Sequence, residues 1–181
     1  GLTWPRVSIV IPSFNQGRFI ADAIESILAQ DYPDLELIVM DGGSTDETVD
    51  VLKRYDEQLT YWVSEPDRGQ SHAINSGLER ATGDVLGWLC TDDLLTEGAL
   101  RTVGRHFAMN PNCQWLGGIG EIVYLETGKR SRGVSGVASP TALMEFWQWG
   151  AEGHYLCQPS TFWTRTLWEN AHGLREDNHL A

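Results

Sequence analysis

Between Val7 and Phe107 the chain changes its hydrophobic period repeatedly, from short apolar runs to helical spacing and back. The runs are "VSIVIP" (7–12), "LELIVMD" (35–41), "LTYWVSE" (59–65) and "DVLGWLC" (84–90), rich in Val, Ile, Leu and Trp. Each ends in turn or polar residues, which reads as a strand. Phe19, Ile20, Ala23, Ile24, Ile27 and Leu28 recur at helical spacing, as do Ala73, Ile74, Gly77, Leu78 and Ala81. Ser44 and Glu47 have the spacing of a capping box, predicting a helix over 46–56. A further helical stretch over 97–108 follows the fourth run, with Thr96 as a competent cap. Strands that alternate with helices of this length are joined by crossovers, so the pattern dictates an α/β fold with a mainly parallel sheet flanked by helices. With 181 residues, 41% of them hydrophobic, the chain can bury a sizeable core as one domain.

A parallel sheet gathers its ligands at the carboxyl ends of its strands. Four polar clusters fall at those ends: Ser13, Phe14 and Asn15; Asp41, Gly42 and Gly43; Glu65 to Gly69; and Thr91, Asp92 and Asp93. Four clusters on one rim point to a site. Adjacent carboxylates repel and are costly to bury without a positive partner. Asp92 and Asp93 therefore either enter the next helix, one of them as its cap, or hold a hard divalent cation such as Mg²⁺ or Mn²⁺. Asp41 is either a cap or a hydrogen-bond partner for a nucleobase or ribose, with Gly42 and Gly43 allowing close backbone approach. Arg68 either pairs on the surface with Asp67 or Glu65 or forks onto a diphosphate. His72 reads as a surface or packing residue opening a helix together with Asn75.

Past residue 110 the pattern loosens. "QWLGGIGEIVYLE" (114–126) reads as one or two strands, 128–139 as a loop rich in Gly, Ser and Arg, and 139–149 as a short helix. Trp147, Trp149, Trp163 and Trp168 offer faces for a sugar ring, although aromatic residues more often fill a core.

Thirteen Lys and Arg stand against 25 Asp and Glu, a net charge of −12, which argues against nucleic acid as a partner. Cys90, Cys113 and Cys157 are scattered and form no CxxC, so neither a disulfide framework nor a zinc site is expected. No apolar run approaches the roughly 20 residues of a membrane span. A reducing, cytoplasmic setting is the expectation. "GGIG" (117–120), "TGKR" (127–130) and "GVSGV" (133–137) each lack the spacing of a dinucleotide fingerprint, a phosphate loop or a nucleophile elbow.

Taken in order, "VSIVIPSFNQGRFIADAIESILAQDYPDLELIVMDGGSTDETVDVLKRY", "SEPDRGQSHAINSGLERATGDVLGWLCTDD" and, more loosely, "QPSTFWTRTLWENAHGL" resemble the family 2 glycosyltransferases. The resemblance implies a GT-A-type, Rossmann-like fold over residues 1–181, with a nucleotide-sugar half at 1–110 and an incomplete acceptor half at 111–181. It implies a metal-dependent, inverting transfer from a nucleoside-diphosphate sugar, most often a UDP-sugar, to a hydroxyl of a carbohydrate, lipid-linked or protein acceptor. Envelope polysaccharide synthesis at the inner face of the membrane is the implied setting, with peripheral attachment through regions outside this chain. Pro12, Ser13, Asn15, Asp41, Arg68 and Asp92 would contact the nucleotide, and Asp93, with Asp92, the Mg²⁺ or Mn²⁺. Thr91 stands where a strict Asp-x-Asp would place its first acid. The catalytic base is expected beyond Ala181, with Glu176 and Asp177 as weaker candidates inside the chain. Two other readings stay in view: a sugar nucleotidyltransferase, for which "PSFNQGRF" carries too little positive charge, and a non-catalytic nucleotide- or glycan-binding module.

Overall fold

A computed structural model describes residues 2–124, 126–132 and 156–177. The expected helix at 139–149, Trp147 and Trp149, and the stretch 133–139 lie outside the described residues. The strands are β1 (Val7–Ser13), β2 (Leu35–Asp41), β3 (Tyr61–Ser64), β4 (Val85–Trp88), β5 (Trp115–Gly117), β6 (Glu121–Tyr124), β7 (Lys129–Arg132) and β8 (Thr161–Thr164). The helices are α1 (Gly17–Leu28), α2 (Thr48–Arg54), α3 (Gln70–Arg80), α4 (Ala99–Met109) and α5 (Arg165–Ala171). Six strands form one sheet in the order β3-β2-β1-β4-β8-β5. The first four are mutually parallel, and β8 joins β4 and β5 antiparallel.

Strand alternation assigns the two faces. Val7, Ile9 and Ile11 turn toward a core with Ile20, Ile24 and Ile27 of α1, Leu52 of α2 and Phe107 of α4. Val10, Ile38 and Met40 turn the other way, against Ala73, Ile74 and Leu78 of α3. Both faces are covered, which is why the first, second and fourth runs are mostly apolar rather than alternating.

Local capping differs from expectation in two places. The box at Ser44 and Glu47 does not form: Ser44 Oγ donates to Asp41, and the residue preceding α2, Glu47, caps nothing with its side chain. Asp46 replaces it, accepting from the amide of Thr48 and from that of Gly17, each at 3.0 Å, and so ties α2 to α1. Thr96 does not cap α4 either, because that helix starts after Gly98, which is left-handed (φ 75°). The buried Gln30 does the work from a distance, accepting from the Leu100 amide (3.2 Å) and donating to the Thr96 carbonyl (3.0 Å). A third correction concerns the expected loop after residue 128. Lys129–Arg132 pairs antiparallel with Glu121–Tyr124 as a separate exposed hairpin, held in part by Arg130 and Glu121 at 2.9 Å.

At the amino edge of the sheet Glu36 is 5% exposed. Its carboxylate accepts from Ser8 Oγ, the Thr82 amide (2.6 Å) and Thr82 Oγ1 (3.0 Å). Burial pushes this carboxyl up, but the hydrogen bonds from Ser8 and Thr82 and the charge of Arg6 outweigh it and leave the group below its usual range. A lowered folded value means that the stability Glu36 contributes is present above the ordinary Glu value of about 4.3 and is lost as pH falls through the folded value. Glu36→Gln is expected to cost about 1–3 kcal/mol at neutral pH and to flatten the acid limb of thermal melts. An acid limb as steep in the variant as in the parent would contradict this.

Candidate functional site

Strands β2 and β3 lie on one side of β1 and β4 on the other, so the strand order reverses between β1 and β4. Reversal splays the two following loops apart, and the crevice between them is where open α/β sheets bind ligands. A cleft of about 510 Å³ opens there. Pro12, Ser13 and Phe14 line it from the end of β1, and Cys90, Thr91 and Asp92 from the segment after β4. Pro66, Asp67, Gly69 and Gln70 close the third side. All four rim clusters thus contribute lining residues, the one after β2 through Gly42.

Ser13 is 5% exposed, and its buried hydroxyl has no hydrogen-bond partner among the described residues. A buried polar group without a partner costs free energy. Asn15 adopts a left-handed conformation (φ 52°) and serves the loop: its Oδ1 accepts from the Thr45 amide (2.8 Å), and its own amide donates to Ser44 Oγ (2.7 Å). Asp41 is 2% exposed. Its carboxylate accepts from the Ser44 amide (2.9 Å), Ser44 Oγ and Ser64 Oγ (2.6 Å), so it shapes the loop carrying Gly42 and Gly43. Gly43 (φ 84°) packs so closely on the Pro66 backbone nitrogen that an added Cβ would lie 3.2 Å away.

Asp92 and Asp93 occupy a turn in which the Asp93 amide donates to the Cys90 carbonyl (3.2 Å). Ligand atoms of Cys90, Asp92 and Asp93 all lie within 4.8 Å of one another. Burial, then the charge of Asp92, pushes the Asp93 carboxyl up. Among the described residues, no Lys or Arg pairs with either carboxylate. This is the electrostatic situation that a cation relieves. The donor set fits a hard ion: two carboxylates are available, while burial and the charges of Asp93 and Asp92 push the Cys90 thiol up to about 11, keeping it protonated at neutral pH. Cys90 itself was not anticipated as a cleft residue, although its place in "LCTDD" was a signal for it.

Arg68 takes neither of the surface partners expected from its neighbourhood. Its Nε and Nη2 both donate to Glu176, at 3.0 and 2.6 Å. Glu176 borders a second hollow, between α3 and α5, rather than the main cleft. Asp177 pairs with Arg175 at 2.8 Å. The hydrogen bond from Asn75, followed by that from Arg68, holds Glu176 below the usual carboxylate range, and Arg175 does the same for Asp177. Trp163 and Trp168 stack on each other (6.0 Å between ring centres, 22°) and pack on the α3 side of the core. His72 is half-buried, with Nδ1 buried and without a partner among the described residues.

The layered sheet, its antiparallel β8 and the acidic turn after β4 define a GT-A-type fold. A mannosyltransferase, PcManGT from Pyrobaculum calidifontis, solved with GDP-Man and Mn²⁺, superposes on 97% of this chain and 49% of its own, with a TM-score of 0.66 and 24% identity. S. aureus TarS, solved with UDP, superposes on 97% and 52%, with a TM-score of 0.67 and 18% identity. The model of the family described as "Glycosyl transferase family 2" matches residues 8–136, and the chain belongs to that family. A Campylobacter jejuni GalNAc(5)-diNAcBac-PP-undecaprenol beta-1,3-glucosyltransferase is 37% identical over 103 residues, 55% of this chain and 33% of that protein. A putative teichuronic acid biosynthesis glycosyltransferase of Bacillus subtilis, TuaG, is 39% identical over 92 residues, 49% of this chain and 36% of that protein. The chain therefore matches about a third of the length of these relatives. Among the described residues no helix is long and apolar enough to cross a membrane.

Proposed function

We propose that the cleft between β1 and β4 binds a nucleoside-diphosphate sugar together with Mg²⁺ or Mn²⁺, as the donor site of an inverting glycosyltransferase in envelope polysaccharide synthesis. The observation that carries this is the Asp92–Asp93 turn, with no cationic partner among the described residues: Asp93 is half-buried behind the exposed Asp92, and Asp92 lines the same cleft as Ser13, whose hydroxyl has no partner among the described residues. Pro12, Ser13, Asn15 and Asp41 form the base and ribose side, directly or through the loop they hold. Asp92 faces the ribose and the metal, Asp93 is the principal metal ligand, and Arg68 stands by the diphosphate. A divalent ion bound there supplies stabilisation of the charge that grows on the leaving diphosphate. The residues of the chain hold the donor so that an acceptor hydroxyl reaches the anomeric carbon from the face opposite the leaving group: the new C–O bond forms as the bond to the diphosphate breaks, a carboxylate base takes the hydroxyl proton, and the configuration inverts. UDP is the first nucleotide to test, and a hydroxyl of a growing or lipid-linked glycan is the proposed acceptor.

Calorimetric titration of UDP and GDP, with Mn²⁺ and with chelator, tests the reading. Binding is expected to need the ion and to raise the melting temperature in step with ligand concentration. Equal affinity with and without the ion would refute the metal role. No binding of either nucleotide would refute the donor site.

A further inference from the structure

Glu176 lies far along the chain from the cleft loops, yet its carboxylate oxygens are engaged by Arg68, in the loop after β3, and by Asn75, in the middle of α3. Oε1 accepts from Asn75 Nδ2 (3.1 Å), and Oε2 accepts from Nε (3.0 Å) and Nη2 (2.6 Å) of Arg68. Asn75 is fixed in turn. Its Nδ2 donates to the Leu174 carbonyl (2.9 Å), and its Oδ1 accepts from the Leu174 amide (2.8 Å). Two left-handed residues make the turn that allows this, His172 (φ 59°) and Gly173 (φ 80°). A Cβ on Gly173 would lie 3.0 Å from Asn75 Oδ1, so the turn and the carboxamide are closely matched. Orientation is relayed from the middle of α3, through Glu176, to Arg68. The neighbours of Arg68 on either side, Asp67 and Gly69, line the cleft.

We propose that Glu176 is a positioning residue for Arg68, and so for the cleft wall after β3, rather than the base that receives the acceptor proton. The proposal rests on the donor-site reading above. A general base needs a free lone pair aimed at its proton and an affinity for protons suited to the working pH. Glu176 offers its lone pairs to Asn75 and Arg68, and those contacts favour the ionised form. The Arg68 side chain is 68% exposed and would otherwise sample many rotamers. A guanidinium held in one orientation loses less freedom on meeting a diphosphate.

Glu176→Gln keeps the shape and removes the charge. In the full chain with Mn²⁺, calorimetry with UDP and GDP is expected to give binding about two- to fivefold weaker, the scale of one exposed ion pair. Arg68→Ala should weaken binding by at least as much, and the double variant no further, because Glu176 acts only through Arg68. Glu176→Asp, which retains the charge but retracts it, should fall between the parent and Glu176→Gln. The melting temperature of Glu176→Gln should stay at the parent value, which separates positioning from a general loss of fold. Unchanged nucleotide affinity in Glu176→Gln, or losses that add in the double variant, would overturn the assignment. Failure of the unaltered protein to bind either nucleotide would instead bring down the donor-site reading, and this proposal with it.

Discussion

Asp93→Ala is expected to abolish the Mn²⁺ dependence of nucleotide binding while leaving the fold intact. Changes to groups that merely orient metal ligands cost about 10–100-fold in metal affinity, and loss of a direct carboxylate should cost more. The physical reason lies in the turn itself. Asp93 is half-buried next to Asp92, and burial followed by the charge of Asp92 raises its carboxyl. In the absence of metal this is an unfavourable arrangement, so its deletion should not lower the melting temperature and can raise it. Stability retained and ion binding lost is the signature of a site held at some cost for function. Mn²⁺ titration followed by electron paramagnetic resonance reads the metal directly, without nucleotide or acceptor. Retained Mn²⁺ affinity in Asp93→Ala would remove this residue from the site. Asp92→Ala, on the exposed side of the pair, should weaken the ion less and the nucleotide more.

The second large effect is expected at Gly77, where α3 meets the sheet. A Cβ there would lie 2.5 Å and 2.9 Å from the two γ-carbons of Val10 and 3.0 Å from Met40 Cγ. Glycine in a helix interior forgoes about 1 kcal/mol relative to alanine, so close packing against β1 and β2 is what makes it suitable here. Gly77→Ala should recover that propensity and still lose, because overpacking a tight contact costs about 1–3 kcal/mol. Gly77→Val adds two methyl groups and should cost more. At roughly 2–4 °C per kcal/mol for a chain of this size, the Val variant should melt some 5–10 °C lower. Its nucleotide affinity should fall as well, since Gln70 and Ala73 of the same helix line the cleft. A Val variant that melts with the parent would show that α3 can slide, and that the contact is not tight.

Much of this was legible in the sequence because it depends on short-range periodicity. The four apolar runs became the four parallel strands within about two residues at either end, and the four rim clusters fell where strand order places them. What failed failed for non-local reasons. Ser44 has the spacing of a cap, but Asp41, at the end of β2, takes its hydroxyl. Thr96 has the composition of a cap, but Gln30 arrives from the end of α1 to satisfy the start of α4. Lys129–Arg132 has no apolar pattern to announce a strand, because both of its faces are exposed. β8 was hidden for another reason: its four residues, with Phe162 in the core, are inserted between β4 and β5 and stabilised by partners distant in sequence.

The chain by itself determined its class, its layering and the family it belongs to, since hydrophobic period, strand-end polarity and ordered motifs all reside in consecutive residues. It also placed two adjacent, mutually repelling carboxylates, Asp92 and Asp93, at a strand end, and left open whether they enter the next helix or hold a cation. Only the tertiary structure decided how Arg68 is used. Its sequence neighbours Asp67 and Glu65 were the obvious partners, yet Glu176 holds it, positioned by Asn75 and a left-handed turn at His172 and Gly173. A salt bridge is settled by which charges the fold brings within reach, and contacts between residues so far apart in the chain follow from packing of the whole sheet rather than from any local pattern.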